Sequence, residues 1–169
     1  MIRVFGAVLV AGCGIWFGSR QARLLERRVC VLEEFGVVLE QMRRELELRR
    51  TPLAQLFRVL SNQTRASVKG LFSACAAELE EDDQDALCRI WTSQVEKLPE
   101  LNGEERRILP SLGHVLGRYP GHEQGEAIFQ VCQALELQTQ AARQESRRLG
   151  RVYRALGAAG GGFLIILLL

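Results

Sequence analysis

The chain has 169 residues, with 22 Lys and Arg against 20 Asp and Glu, and a formal net charge of +2 at pH 7. Once two uncharged terminal runs are set aside, this length leaves room for a single compact domain. The nearly balanced charge excludes the strongly basic composition typical of nucleic-acid-binding proteins.

The first element is an uncharged apolar run from Val4 to Gly18. As a helix, Val4 to Ser19 would be roughly 24 Å long, against a bilayer hydrocarbon core of about 30 Å. Basic residues flank membrane helices on the cytoplasmic side, and four follow this run: Arg20, Arg23, Arg27 and Arg28. The pattern predicts an N-terminal transmembrane helix over residues 1–19. The apolar region of a signal peptide is the alternative.

The middle of the chain, residues 20–154, predicts helices and turns only. Apolar residues recur every three or four positions from about Arg20 to Arg49, which indicates one long helix. Thr51 is a candidate cap and Pro52 suits the first turn of a short second helix that reaches Leu60. A third helix from about Val68 runs into an acidic segment, which supplies first-turn residues to a fourth helix.

A fifth helix begins near Asn102, and Pro110 within it predicts a kink or a late start. After a loop over residues 117–121, a last long helix continues into the C-terminal run. No segment alternates apolar and polar residues as a strand does. The predicted fold class is therefore all-α, an antiparallel bundle of about six helices on two membrane stems.

The second uncharged run, from Ala155 to Leu169, follows five arginines: Arg143, Arg147, Arg148, Arg151 and Arg154. The same charge rule predicts a C-terminal transmembrane helix over residues 155–169, with both termini outside the cytoplasm. At about 22 Å this run is also short, and a buried core helix is the alternative. We therefore expect a two-span protein of the cell membrane, held in the lipid bilayer, with residues 20–154 in the cytoplasm. The arginines add attraction to anionic headgroups.

Small residues in both runs are spaced for helix packing. Gly14 and Gly18 are four residues apart, as are Gly157 and Gly161. This spacing lets membrane helices approach closely, although glycine is also generally common in such helices.

The sequence offers no recognisable catalytic or metal-binding pattern. His114 and His122 lie eight residues apart on either side of a Gly/Pro loop, a poor spacing for a zinc site. No Gly-x-Ser-x-Gly elbow occurs, and the five cysteines, which have apolar neighbours, form no Cys-x-x-Cys pair. We therefore expect reduced, buried thiols. We expect a protein that is not an enzyme and needs no cofactor or metal.

Two charged patches are candidates for partner binding. The acidic patch is Glu80, Glu81, Asp82, Asp83 and Asp85, and the basic patch is Arg43, Arg44, Arg49 and Arg50. Each is either a solvated turn or a docking surface for a partner of opposite charge.

An ordered set of short motifs resembles the stage III sporulation protein AB family. The residues that carry the resemblance are Thr51-Pro52-Leu53, Trp91, Leu112-Gly113-x-x-Leu116-Gly117, Gln124 and Tyr153-x-x-Leu156-Gly157. The likeness extends over essentially the whole chain. Tyr119-Pro120 stands where the family usually carries Ser-Asp.

The resemblance implies a membrane component of the channel complex between mother cell and forespore in endospore-forming bacteria, with its helical domain on the mother-cell side. Members are similar to the inner-membrane platform protein of type II secretion and type IV pilus systems, whose cytoplasmic domain docks a hexameric ATPase. The implied function is a non-enzymatic assembly platform. Its partners would be a cytoplasmic secretion-type ATPase and other membrane subunits of the complex. The alternative is a membrane-bound sensor or regulatory module with a ligand pocket between helices.

Overall fold

The computed structural model of the chain describes residues 2–49, 51–79, 84–116 and 121–168. Within these ranges it does not describe the side chains of residues 2–11, 14, 15, 17, 49, 66, 84–86, 121, 122, 154, 158, 161 and 164–168. All regular secondary structure in these ranges is helical, which confirms the all-α class. The helices are α1 (Ile2–Arg49), α2 (Leu53–Gln63), α3 (Ala66–Glu78), α4 (Gln84–Glu96), α5 (Glu105–Ile108), α6 (Pro110–Val115) and α7 (Gly121–Leu168).

The first and last helices are much longer than the others. Each contains 48 residues, which corresponds to about 72 Å at the rise of an α-helix. The N-terminal apolar run and the first amphipathic helix are therefore one uninterrupted helix, and the last amphipathic helix likewise continues through the C-terminal run. Among the described residues, no helix is both long enough and apolar enough to cross a membrane.

The chain divides into two compact units. A terminal unit contains the residues up to Val29 together with those from Gln140 onward, and a central unit contains Cys30–Thr139. The predicted boundaries at residues 19 and 154 mark a change of composition, and they stay predictions.

An aromatic cluster lies in the core of the central unit. Phe57 of α2, Phe72 of α3 and Trp91 of α4 are fully buried. Their ring centroids lie 5.7 to 6.3 Å apart, within the range in which each aromatic pair contributes about 0.5–1.5 kcal/mol beyond area burial. The α1 stripe packs in the same unit and buries Leu32, Phe35, Leu39, Met42 and Leu46.

Local hydrogen bonding sets the start of α5 and the break between α5 and α6. Asn102 Oδ1 accepts the N–H groups of Glu104 and Glu105 at 3.0 and 3.1 Å, while the buried Glu105 carboxylate accepts the N–H of Asn102. This reciprocal pairing begins α5 where the sequence predicts a start. Pro110, which has no N–H to donate, then separates α5 from α6.

The predicted cap of α2 is wrong. Pro52, in an extended conformation, occupies the capping position, and its carbonyl accepts the Leu56 N–H at 3.0 Å. The Thr51 hydroxyl instead donates to Glu45 of α1 at 3.3 Å. Thr51 lies one residue before the capping position, so its hydroxyl does not accept the free N–H groups of α2. The polar break predicted from Ser61 also comes later, because α2 continues to Gln63.

Candidate functional site

The acidic patch falls mostly outside the structural description. Glu80, Glu81, Asp82 and Asp83 lie outside the described residues. Asp85 belongs to the first turn of α4, where its side chain is not described. The position of the patch between α3 and α4 is therefore known from the sequence and the helix bounds alone.

The two described side chains of the basic patch, those of Arg43 and Arg44, differ in pairing and in exposure. Arg43 donates to Glu40 at 2.9 and 3.0 Å and to Glu47 at 3.0 and 3.1 Å, all on α1. Arg44 lies one position on, pairs with Glu40 at 3.3 Å, and leaves 66% of its side chain exposed. Arg49 ends α1 without a described side chain, and Arg50 lies outside the described residues.

Arg43 is the centre of a seam between α1 and α7 within the central unit. Its guanidinium carbon lies 5.7 Å from the ring centroid of Phe129 on α7, a cation–π distance. Hydrogen bonding from Arg43 lowers the pKa of the Glu40 carboxyl, and the same pairing raises the pKa of Arg43. The Arg43 guanidinium is therefore already paired within the protein. Of the two basic-patch side chains that the structure describes, Arg44 is the one exposed to a partner.

A glycine on α7 makes room for this seam. A Cβ at Gly125 would lie 2.5 Å from Glu47 Oε1 and 2.9 Å from Glu47 Cγ. The neighbouring Gln124, one of the motif residues, is 5% exposed. The i,i+3 and i,i+4 spacing of Glu40, Arg43 and Glu47 was a readable signal for the ion pairs on α1. Nothing in the sequence pointed to Gly125 or Phe129.

The Leu112-Gly113-x-x-Leu116 motif lies against the aromatic cluster. Leu112 and Leu116 are 1% and 2% exposed. A Cβ at Gly113 would come 3.0 Å from Trp91 Cδ1, and the Trp91 indole N–H donates to the Leu109 carbonyl at 2.8 Å. These motif residues and Trp91 thus meet as one packing arrangement. Gly117 and Tyr119-Pro120 lie outside the described residues.

In the terminal unit, the motif residues of α7 pack against α1. A Cβ at Gly18 would lie 2.5 Å from the Tyr153 carbonyl oxygen and 3.5 Å from the Gly157 Cα. The two backbones touch at this point. Leu156 is 63% exposed and Tyr153 is 36% exposed. Gly14 and Gly161 lie within helices, at positions where nothing beyond the backbone is described.

The remaining reactive side chains do not assemble into a metal site. In the described ranges, no three His, Cys, Asp or Glu side chains group as metal ligands. His114 Nδ1 lies 3.3 Å from the Cys88 sulfur, whereas the His122 side chain is not described. All five cysteines are free thiols, but the prediction that they are buried is wrong for Cys13 and Cys30, which are exposed.

Comparison with known proteins confirms the family resemblance seen in the sequence. Residues 3–169 match the family model of stage III sporulation protein AB. The stage III sporulation protein AB of Bacillus subtilis (strain 168) is 24% identical over 172 residues, and the alignment covers 100% of both chains. No solved structure matches the chain.

Proposed function

The chain belongs to the stage III sporulation protein AB family, and from this premise we propose that it is a membrane-anchored, non-enzymatic assembly platform. The family supports a role in sporulation. The proposal adds that the protein holds together a channel complex between mother cell and forespore. It would do so by docking a cytoplasmic secretion-type ATPase and neighbouring membrane subunits.

The continuity of the two long helices carries the proposal. α1 and α7 each join an uncharged terminal run to the central unit without a helix break. The arginines beside those runs are exposed at positions 20, 23 and 27 of α1 and 147, 148 and 151 of α7. Two apolar runs with basic flanks support two spans, with residues 20–154 in the cytoplasm.

The polar groups of the central core argue against the sensor alternative. Among the described residues, four buried polar residues are spread over α2, α5 and α7: Ser61, Glu105, Gln124 and Thr139. Glu100 Oε2 is the one buried side-chain oxygen or nitrogen in this part of the chain without a hydrogen-bond partner. The Ser61 hydroxyl donates to the Arg58 carbonyl at 2.9 Å, and the Thr139 hydroxyl to the Leu135 carbonyl at 2.8 Å. The Glu105 carboxylate accepts the Asn102 N–H, and Gln124 also has an interaction partner. A ligand pocket would need such groups gathered and unsatisfied.

The ATPase would dock through charge. Arg44 offers an exposed cation on α1 of the central unit, and the acidic patch offers the opposite charge between α3 and α4. Exposed charges at an interface mainly steer association and fix register, and their effect weakens with salt. Such a surface suits an ATPase that engages and releases during its cycle.

Binding of the full chain to the candidate ATPase tests the docking. We expect Arg44→Glu, or Asp82→Lys with Asp83→Lys, to slow association and to reduce its salt dependence. Arg107→Glu is the matched control, because Arg107 is also an exposed arginine paired to a glutamate in the central unit. If all variants bind like the wild type, the charged residues are merely solvated and this docking surface is wrong.

Reporter fusions test the anchoring separately. The two-span arrangement places both termini outside the cytoplasm, so a reporter that is active only in the cytoplasm should be silent on the C-terminus. Activity of that fusion would contradict two spans.

A further inference from the structure

The terminal unit contains an arginine-lined groove between α1 and α7. It has a volume of about 440 Å³ and is lined by Glu26 of α1 and by Ser146, Arg147, Gly150 and Arg151 of α7. Gly150 is buried against α1, where the Ala22 Cβ lies 3.9 Å from a Cβ built on the glycine. The groove is therefore apolar where Gly150 lies and polar along its walls.

The two arginines of the groove are available for an anion. Arg147 and Arg151 are one helical turn apart, so their side chains share one side of α7. Both are exposed, and within the described residues neither pairs with a carboxylate, whereas Arg28 of the same unit pairs with Glu145 at 2.8 Å. Arg151 Nε donates to the Arg147 carbonyl at 3.0 Å, which leaves its two terminal nitrogens for another acceptor.

The same two helices carry exposed aromatic side chains near the groove-side ends of the uncharged runs. Tyr153 follows Arg151 by two residues, about 3 Å along the helix. Its carbonyl meets Gly18 of α1, and Trp16 lies two residues before that glycine. Trp16 is 58% exposed, and the Arg20 guanidinium lies 5.5 Å from its ring centroid. Exposed Trp and Tyr beside Arg are typical of the headgroup level of a bilayer.

We propose that this groove binds the phosphate of an anionic phospholipid headgroup. Arg147 and Arg151 supply the charged donors, and the Ser146 hydroxyl supplies a further one. Guanidinium groups match phosphate oxygens in charge and in geometry. Glu26 lies on the α1 side of the groove and adds one negative charge to the two positive charges of the arginines. The inference rests on the membrane anchoring proposed above, because that anchoring brings the headgroups to the level of the groove.

The test uses the full chain with vesicles of phosphatidylcholine, with or without phosphatidylglycerol. Arg147→Gln with Arg151→Gln removes both donors. Arg23→Gln with Arg27→Gln is the matched control, because it removes the same charge from exposed positions outside the groove. We expect the groove variant to lose phosphatidylglycerol affinity by about tenfold, and the control to keep most of it. Circular dichroism should show both variants folded like the wild type.

Two results would overturn the inference. Equal losses in the two double variants would show general attraction between basic side chains and the surface. Competition by inorganic phosphate as effective as that by phosphatidylglycerol would make the groove a site for free anions.

Anchoring is measured apart from headgroup recognition, by resistance of the wild type to carbonate extraction from phosphatidylcholine vesicles. Loss of anchoring with preserved binding of water-soluble short-chain phosphatidylglycerol would refute the two spans and support the groove. Intact anchoring without any preference for phosphatidylglycerol would refute the groove alone.

Discussion

Gly113 lies directly against the indole of Trp91, so closely that a Cβ on the glycine would come 3.0 Å from Cδ1 and 3.3 Å from Cβ and Cγ of the tryptophan. The indole has little room to withdraw, because it is fully buried and is held by the hydrogen bond to the Leu109 carbonyl. The contact gives a physical reason for a glycine inside a short helix, where glycine is otherwise unfavourable.

Gly113→Ala should therefore destabilise the protein. Overpacking of this kind costs about 1–3 kcal/mol, from which the better helix propensity of alanine recovers roughly 0.5–1 kcal/mol. Gly70→Ala is the control, since no atom lies within 4 Å of a Cβ built at Gly70 in α3, and it should stabilise. The free energy of unfolding in urea gives both values. A shift in the same direction for both glycines would contradict the packing role of Gly113.

Trp91 itself should be among the most costly residues to truncate. Its side chain is fully buried between Phe57 and Phe72, so Trp91→Ala should lower the free energy of unfolding by roughly 3–5 kcal/mol. Trp91→Phe keeps most of the ring but removes the indole donor. The Leu109 carbonyl then keeps the Leu112 N–H, at 3.2 Å, so the loss should be about 0.5–1.5 kcal/mol. Equilibrium unfolding followed by circular dichroism measures both. A loss below about 1 kcal/mol for the alanine variant would be inconsistent with a buried anchor.

The features that sequence reasoning predicted are those set by neighbours along the chain. The three- to four-residue recurrence of Leu32, Leu39 and Met42 sufficed to predict a helix with a buried stripe, because periodicity and burial are linked in one element. The start near Asn102 and the break at Pro110 were also readable, since capping and the missing proline N–H act within one turn.

The remaining features depend on the folded arrangement. Thr51 has the residue type of a helix cap, yet Pro52 takes the capping position and the Thr51 hydroxyl donates to Glu45. The seam around Arg43 needs Gly125 and Phe129 from a helix about eighty positions later. The spacing of Glu40, Arg43 and Glu47 signals the ion pairs on α1, but nothing in the sequence placed α7 against the paired Arg43.

That pairing makes stability depend on pH in the acid range. Arg43 holds the pKa of Glu40 below its ordinary value of 4.5, so the folded state binds this proton less tightly than the unfolded state. The stabilisation is fully present above pH 4.5 and is lost as the pH falls through the lowered value. Arg43→Gln should remove part of this decline.

Melting temperatures measured from neutral to acidic pH would show a shallower decline for Arg43→Gln than for the wild type. Arg107→Gln is the control, because the Arg107–Glu104 pair is 3.6 Å long with both side chains mostly exposed, and such pairs contribute little. If the slope of the Arg43 variant equals that of the wild type, the ion pairs at the seam do not persist in solution.

The buried cysteines should give the protein a second pH dependence, in thiol reactivity and in stability at alkaline pH. Burial raises the pKa of the Cys75 thiol to about 12 and that of Cys132 to about 11, whereas Cys30 is exposed. Thiolate is the species that reacts with alkylating reagents. At a pH of about 8, iodoacetamide should therefore modify Cys30 well before Cys75 and Cys132, as judged by peptide mass spectrometry. Because Cys13 is also exposed, Cys30→Ser should remove the fast phase in a Cys13→Ser background.

The same shifts fix the direction in which stability changes. Because the Cys75 pKa is raised above the 9.0 of an unburied thiol, the unfolded chain loses this proton first as the pH rises. The stabilisation is present below pH 9 and declines towards pH 12. Cys75→Ala should begin from lower stability, since it leaves a small cavity, yet decline less steeply over this range. An equal slope in wild type and variant, or alkylation of Cys75 as fast as that of Cys30, would show that this thiol is accessible to water.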